Sequence, residues 1–176
     1  PVTPHTKIYL SAKEIYRVIT RRNLPRILIA DDHRLVAEAF KMLLDADYDV
    51  VGTVGDGGLL VRVAAELRPD LIIIDIAMPI LNGLDAGRQI KELLPSVKLV
   101  YVTINHEADV AAEAFRRGAS GYLVKTCAAS ELVTAVREVL QHKSYISPTI
   151  AKDTVDFLCR EGKEFVTEGN KLTARE

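Results

Sequence analysis

Residues 71–75 read LIIID, four branched aliphatic residues ending on a carboxylate. An apolar run without polar alternation is what a strand covered on both faces requires. Working outward, residues 27–30, 50–54, 98–103 and 121–124 are likewise rich in Val, Ile, Leu and Tyr, and amphipathic stretches separate them. Five β-rich runs alternating with helical stretches between residues 26 and 141 predict an α/β fold with a parallel sheet. Helix starts are expected at Asp56 before Gly57, at Asn82 with Asp85 three residues on, and at Asn105 ahead of Glu107. Pro69, Pro95 and Gly118 supply the stops.

The 176 residues suffice for one well-buried α/β core with appendages. Lys plus Arg total 23 against 24 for Asp plus Glu, so there is no overall basic footprint for nucleic acid. Cys127 and Cys159 form no C-x-x-C pair, which speaks against a zinc or disulfide scaffold and for a reducing cytoplasm. Apolar runs stop far short of the ~18 residues that a membrane span needs, so no membrane partner is expected. Ser11 and Glu14 form a capping-box pattern. Residues 1–24 are therefore expected to be an N-terminal extension, either a short helix or a segment foreign to the natural chain. Ser147, Pro148 and Thr149 open a second amphipathic stretch, and residues 163–171 are polar and linker-like.

Open parallel sheets bind ligands beyond the C-terminal ends of their strands, where strand order reverses. Asp31 and Asp32 follow the first run, Asp75 ends the third, Thr103 ends the fourth and Lys125 follows the fifth. Each alone has a plainer reading: Asp31 and Asp32 as a helix cap, Asp75 as a strand-end carboxylate, Thr103 as a β-former, Lys125 as a solvated charge. With strand order 2-1-3-4-5 they converge at one rim. Carboxylates ~4 Å apart repel by about 4 kcal/mol at an effective dielectric of 20. A hard, oxygen-seeking cation such as Mg²⁺ would offset that. A carboxylate nucleophile, a metal ion and a Lys are a sufficient set for phosphoryl transfer.

Three stretches, ILIADDH at 27–33, DIAMP at 75–79 followed by Asn82 and Gly83, and GASGYLVK at 118–125, resemble the receiver domain of two-component response regulators. The resemblance covers about residues 25–142 and implies a flavodoxin-like (βα)5 fold with helical appendages at both ends. It implies that Asp75 is the phosphoacceptor, that Asp32 binds Mg²⁺ directly and Asp31 through water, and that the Ala77 carbonyl is a further ligand. Thr103 and Lys125 would contact the phosphoryl oxygens, and Tyr122 would be the switch aromatic whose rotamer follows the Thr103 hydroxyl. Two residues depart from the common pattern: Thr126 stands where many receivers have Pro, and Ile104 where many have a small residue.

Residues 172–176, LTARE, resemble the opening of the LuxR-type helix-turn-helix domain of the NarL/FixJ group. The implied organisation is a receiver at 25–142, a linker with a helix at 143–171, and the first residues of a truncated DNA-binding domain at 172–176. A sensor histidine kinase is the implied partner, a homodimer the implied assembly, and DNA would be bound only through the missing domain. The chemistry would be limited to self-phosphorylation and self-dephosphorylation. Two other readings stay open. An aspartyl-nucleophile phosphatase expects an acid two residues after the nucleophile, where Ala77 stands. A phosphorylation-independent interaction module would keep the fold without the switch.

Overall fold

The computed structural model describes residues 24–104 and 106–160. The expected N-terminal helix, the Asn105 cap, the polar linker and residues 172–176 lie outside the described residues. In chain order the elements are β1 (Arg26–Ala30), α1 (Arg34–Leu44), β2 (Asp49–Val54), α2 (Gly57–Leu67), β3 (Leu71–Asp75), α3 (Gly83–Leu93), β4 (Lys98–Thr103), α4 (Ala108–Arg116), β5 (Gly121–Val124), α5 (Ala128–Leu140), β6 (Tyr145–Ile146) and α6 (Pro148–Arg160). The strands form one parallel sheet in the order 2-1-3-4-5-6.

The expected order 2-1-3-4-5 holds, and a sixth strand is added at its edge. Tyr145 and Ile146 pair with Gly121 and Tyr122. Two residues carry too little pattern to be read from sequence as a strand.

Side chains alternate across the sheet as strand geometry dictates. Ile27, Ile29, Ile73 and Val102 face α1 and α5, where Phe40, Leu132 and Val136 cover them. Leu28, Ile72, Tyr101 and Tyr122 face the other way, under α2, α3 and α4. β3 is buried at every position, which is why residues 71–74 show no polar alternation. Asp56 and Asn82 cap their helices as expected, accepting from the amides of Leu59 at 2.7 Å and Asp85 at 2.9 Å. The cap of α4 is Glu107, without a side-chain cap hydrogen bond. No helix among the described residues is long and apolar enough to cross a membrane.

Tyr101 gives a local test of the packing. Its hydroxyl is buried without a hydrogen-bond partner, and burial pushes the phenol well above its ordinary range. Helix α3 passes so close that a Cβ on Gly87 would lie 1.9 Å from that oxygen. Gly→Ala in a helix normally stabilises by about 1 kcal/mol. Here overpacking outweighs it, and Gly87→Ala is expected to destabilise by about 2 kcal/mol. Tyr101→Phe removes an unsatisfied hydroxyl and should stabilise by about 1 kcal/mol, while reducing the penalty at residue 87. Urea unfolding of the two single variants and the double variant measures all three effects.

Candidate functional site

The strand ends bring together the side chains that the sequence singles out. β1 and β3 are hydrogen-bonded neighbours, so Asp31, just past Ala30, lies beside Asp75 at the end of β3. Both are 3% exposed. The Lys125 ammonium reaches between them, with Nζ 2.7 Å from Asp75 Oδ2 and 2.9 Å from Asp31 Oδ2. Burial alone would pull the pKa of Lys125 down. Hydrogen bonds and charge attraction from Asp75 and Asp31 outweigh that and hold it above its ordinary value.

The backbone fixes these groups. Asp75 Oδ1 accepts the Ala77 amide at 3.1 Å, and Asp31 Oδ1 accepts the His33 amide at 2.9 Å. Asp31 therefore closes a turn and does not cap α1, whose N-cap His33 makes no side-chain cap hydrogen bond. A Cβ on Gly83 would sit 2.2 Å from the Asp75 carbonyl oxygen, so only glycine lets α3 start this close to the end of β3. Thr103 is buried at the end of β4, one residue beyond the Val102 that pairs with Asp75. Its carbonyl accepts the Lys125 amide at 2.7 Å, tying the two strand ends together. Among the described residues no peptide bond is cis, Lys125–Thr126 included.

Asp32 stands apart from the buried pair. Its side chain is 32% exposed, and its Oδ1 lies 2.7 Å from His33 Nδ1. His33, the last residue of the ILIADDH stretch, was not among the expected site residues. The signal available was its adjacency to two acids. Tyr122 is fully buried beside Tyr101 in the sheet register, its hydroxyl has no hydrogen-bond partner, and burial raises its pKa. Ile104 and Ile80, on the loops after β4 and β3, are 70% and 88% exposed.

Ligand atoms of Asp31, Asp32, His33 and Asp75 all lie within 4.8 Å of one another. Asp31 Oδ2 is buried, and its partner is the Lys125 ammonium 2.9 Å away. A carboxylate oxygen left with spare lone pairs inside an acidic cluster suits a hard cation, so these residues fit a metal ion. The rim thus combines a buried carboxylate, a partly buried cation and an acidic cluster that could hold a metal. The sequence profile described as the response regulator receiver domain matches residues 27–137.

The chain belongs to the response regulator receiver family. Relatives include "Response regulator GacA" of Pseudomonas viridiflava, 38% identical over 129 residues, which cover 72% of this chain and 60% of the relative. "Transcriptional regulatory protein DegU" of Brevibacillus brevis is 32% identical over 156 residues, 88% of this chain and 66% of the relative. The chain spans about three fifths of the length of the curated relatives it matches. Among solved structures, a LuxR-family two-component response regulator from Aurantimonas sp. SI85-9A1 superimposes with a TM-score of 0.73 at 30% identity, covering 78% of this receiver chain and 99% of that one.

Proposed function

We propose that this receiver accepts a phosphoryl group on Asp75 from a sensor histidine kinase and thereby switches a C-terminal DNA-binding transcriptional effector. The observation that carries the reading is the buried Asp75 carboxylate, held by the Ala77 amide and by Lys125 at the mouth of the sheet. Asp75 supplies the attacking oxygen. A new O–P bond forms as the bond to the donor breaks, and the leaving group departs with its electron pair, an imidazole nitrogen from a phosphohistidine or acetate from acetyl phosphate. Lys125 then meets the phosphoryl oxygens as a point charge, and Thr103 contacts them from the end of β4. Asp31, Asp32, Asp75 and the Ala77 carbonyl would hold Mg²⁺, which supplies neutralisation of the phosphoryl charge.

Tyr122 is assigned the switch role on its match to the family's switch aromatic and on its buried hydroxyl without a partner; it stands in β5 two residues before the Val124 that pairs with Thr103. Residues 25–142 form the receiver, 143–171 the linker, and 172–176 the first residues of a LuxR-type helix-turn-helix. Homodimerisation, a cytoplasmic setting and self-dephosphorylation belong to the same reading. That reading is supported by relatives whose names describe transcriptional regulation. Intact mass after incubation with acetyl phosphate and Mg²⁺ should rise by one phosphoryl group, and not in EDTA. An unchanged mass with Mg²⁺ would favour an interaction module that works without phosphorylation. Turnover of small phosphate esters would favour an aspartyl phosphatase.

A further inference from the structure

Ser147 precedes Pro148, the first residue of α6. A serine there is ordinarily expected to cap the helix, its hydroxyl accepting from an amide one turn in. In this fold the hydroxyl is used elsewhere. Ser147 is fully buried, its Oγ accepts the Val124 amide at 3.0 Å, and it donates to Glu131 Oε2 at 2.6 Å. Its own amide donates to the Tyr122 carbonyl at 2.9 Å.

Sheet geometry gives the reason. Along β5 the backbone groups point alternately to the two neighbouring strands. The Lys125 amide points to Thr103 on β4, so the Val124 amide points to β6. β6 ends at Ile146, because the chain turns into α6 at Pro148. No third residue of β6 is there to offer a carbonyl, and the Ser147 hydroxyl takes its place.

The same hydroxyl reaches the far side of the Lys125 loop. Cys127 donates its amide to the Val124 carbonyl, and Glu131 in the first turn of α5 donates its amide to Cys127. Ser147 thus pins Val124 on one side of the loop and Glu131 on the other, with Lys125 between them. Tyr145 of β6 is bonded to Glu131 as well, its phenol pushed up to about 12 by burial and by that carboxylate. From Ser147 onward, α6 runs across α4, with Ile150 in the cluster around Tyr122 and Ala111 and with Phe157 under the Arg116 guanidinium at 5.6 Å.

We infer that Ser147 and Glu131 are a positioning pair that couples the Lys125 loop to the start of α6. Occupation of the Asp75 site then alters the docking of α6, and the docking of α6 alters the site. The inference rests on the phosphoacceptor reading of Asp75. When a phosphoryl group arrives, Lys125 exchanges a carboxylate for a phosphoryl oxygen. A shift of its loop must then move Val124 or Glu131 against the one hydroxyl that holds both. Coupling of this kind is reciprocal.

The test uses the whole chain with beryllofluoride, a phosphomimetic that does not turn over. Amide hydrogen exchange should change severalfold across residues 145–160 when beryllofluoride and Mg²⁺ are added, with α2 as the unaffected reference. Ser147→Ala should still gain a phosphoryl group from acetyl phosphate, about fivefold more slowly at saturating Mg²⁺, because the hydroxyl that bonds both Val124 and Glu131 is gone. Its half-saturating Mg²⁺ concentration should not change, and its exchange response in α6 should be lost. Ser147→Thr, which keeps the hydroxyl, should restore the response.

A wild-type chain that takes the phosphoryl group without any change in α6 exchange sinks the coupling while leaving Asp75 as acceptor. So does a Ser147→Ala response equal to that of wild type. A wild-type chain that gains no mass overturns the acceptor reading and the coupling with it. If neither variant folds, the wild-type exchange measurement alone decides.

Discussion

Asp75→Asn should abolish the Mg²⁺-dependent gain of a phosphoryl group from acetyl phosphate, while the fold without metal becomes no less stable. The amide has no anionic oxygen to attack phosphorus. Three carboxylates share the rim with the single ammonium of Lys125. Removing one negative charge leaves Lys125 paired with Asp31 and relieves like-charge repulsion. Stability in EDTA should rise by about 1 kcal/mol after solvent screening. Intact mass and urea unfolding read the two effects. A phosphoryl gain that persists in Asp75→Asn would move the acceptor to another residue.

Lys125→Met acts in the opposite direction. It leaves Asp31 and Asp75, each 3% exposed, facing one another without the cation that now lies between them. Breaking a buried ion pair by deleting one partner costs about 3 kcal/mol or more, so the variant should be less stable than wild type in EDTA by roughly that amount. Millimolar Mg²⁺ should stabilise the variant more than wild type, because the metal then neutralises acids that no ammonium balances.

The pH dependence has a definite sign. The folded-state pKa of Lys125 is raised, so its contribution is fully present below its unfolded value of about 10.4 and is lost only as pH climbs through the higher folded value. The stability difference between wild type and Lys125→Met should therefore stay flat from neutral pH to about pH 10. Urea midpoints at several pH values measure it. Equal stability of the two proteins in EDTA would mean that the Lys125 contacts carry no net energy.

The core of the fold was readable because strand signals are local. Residues 71–74 have no polar alternation because β3 is covered on both faces, and Asp56 and Asn82 cap because a side-chain oxygen three residues before an amide reaches it without help from elsewhere. The convergence of Asp31, Asp75, Thr103 and Lys125 was readable one step further on. A parallel sheet places its strand ends at one rim, and each of these residues sits at or just past such an end.

Other features depended on partners far along the chain. Asp31 and Asp32 look alike in sequence, yet Asp31 is buried against Lys125 while Asp32 turns outward to His33. Ile80 adopts a left-handed backbone, with φ of 68°, that a β-branched residue rarely takes. Its side chain is almost fully exposed, so no packing signal marked it.

The sequence by itself determined the parallel sheet and the acidic and basic residues at the ends of its strands, because hydrophobic period and strand-end position are written within a few consecutive residues; the strand order came with the resemblance to receiver domains. Only the tertiary structure decided which acid shares Lys125, that a two-residue sixth strand closes the sheet edge, and that Ser147 bonds to Val124 and Glu131. Those outcomes turn on hydrogen bonds and ion pairs between residues 16 to 94 positions apart. Such contacts form only when the folded chain sets the backbone groups left over at one strand's edge against whatever the next element brings.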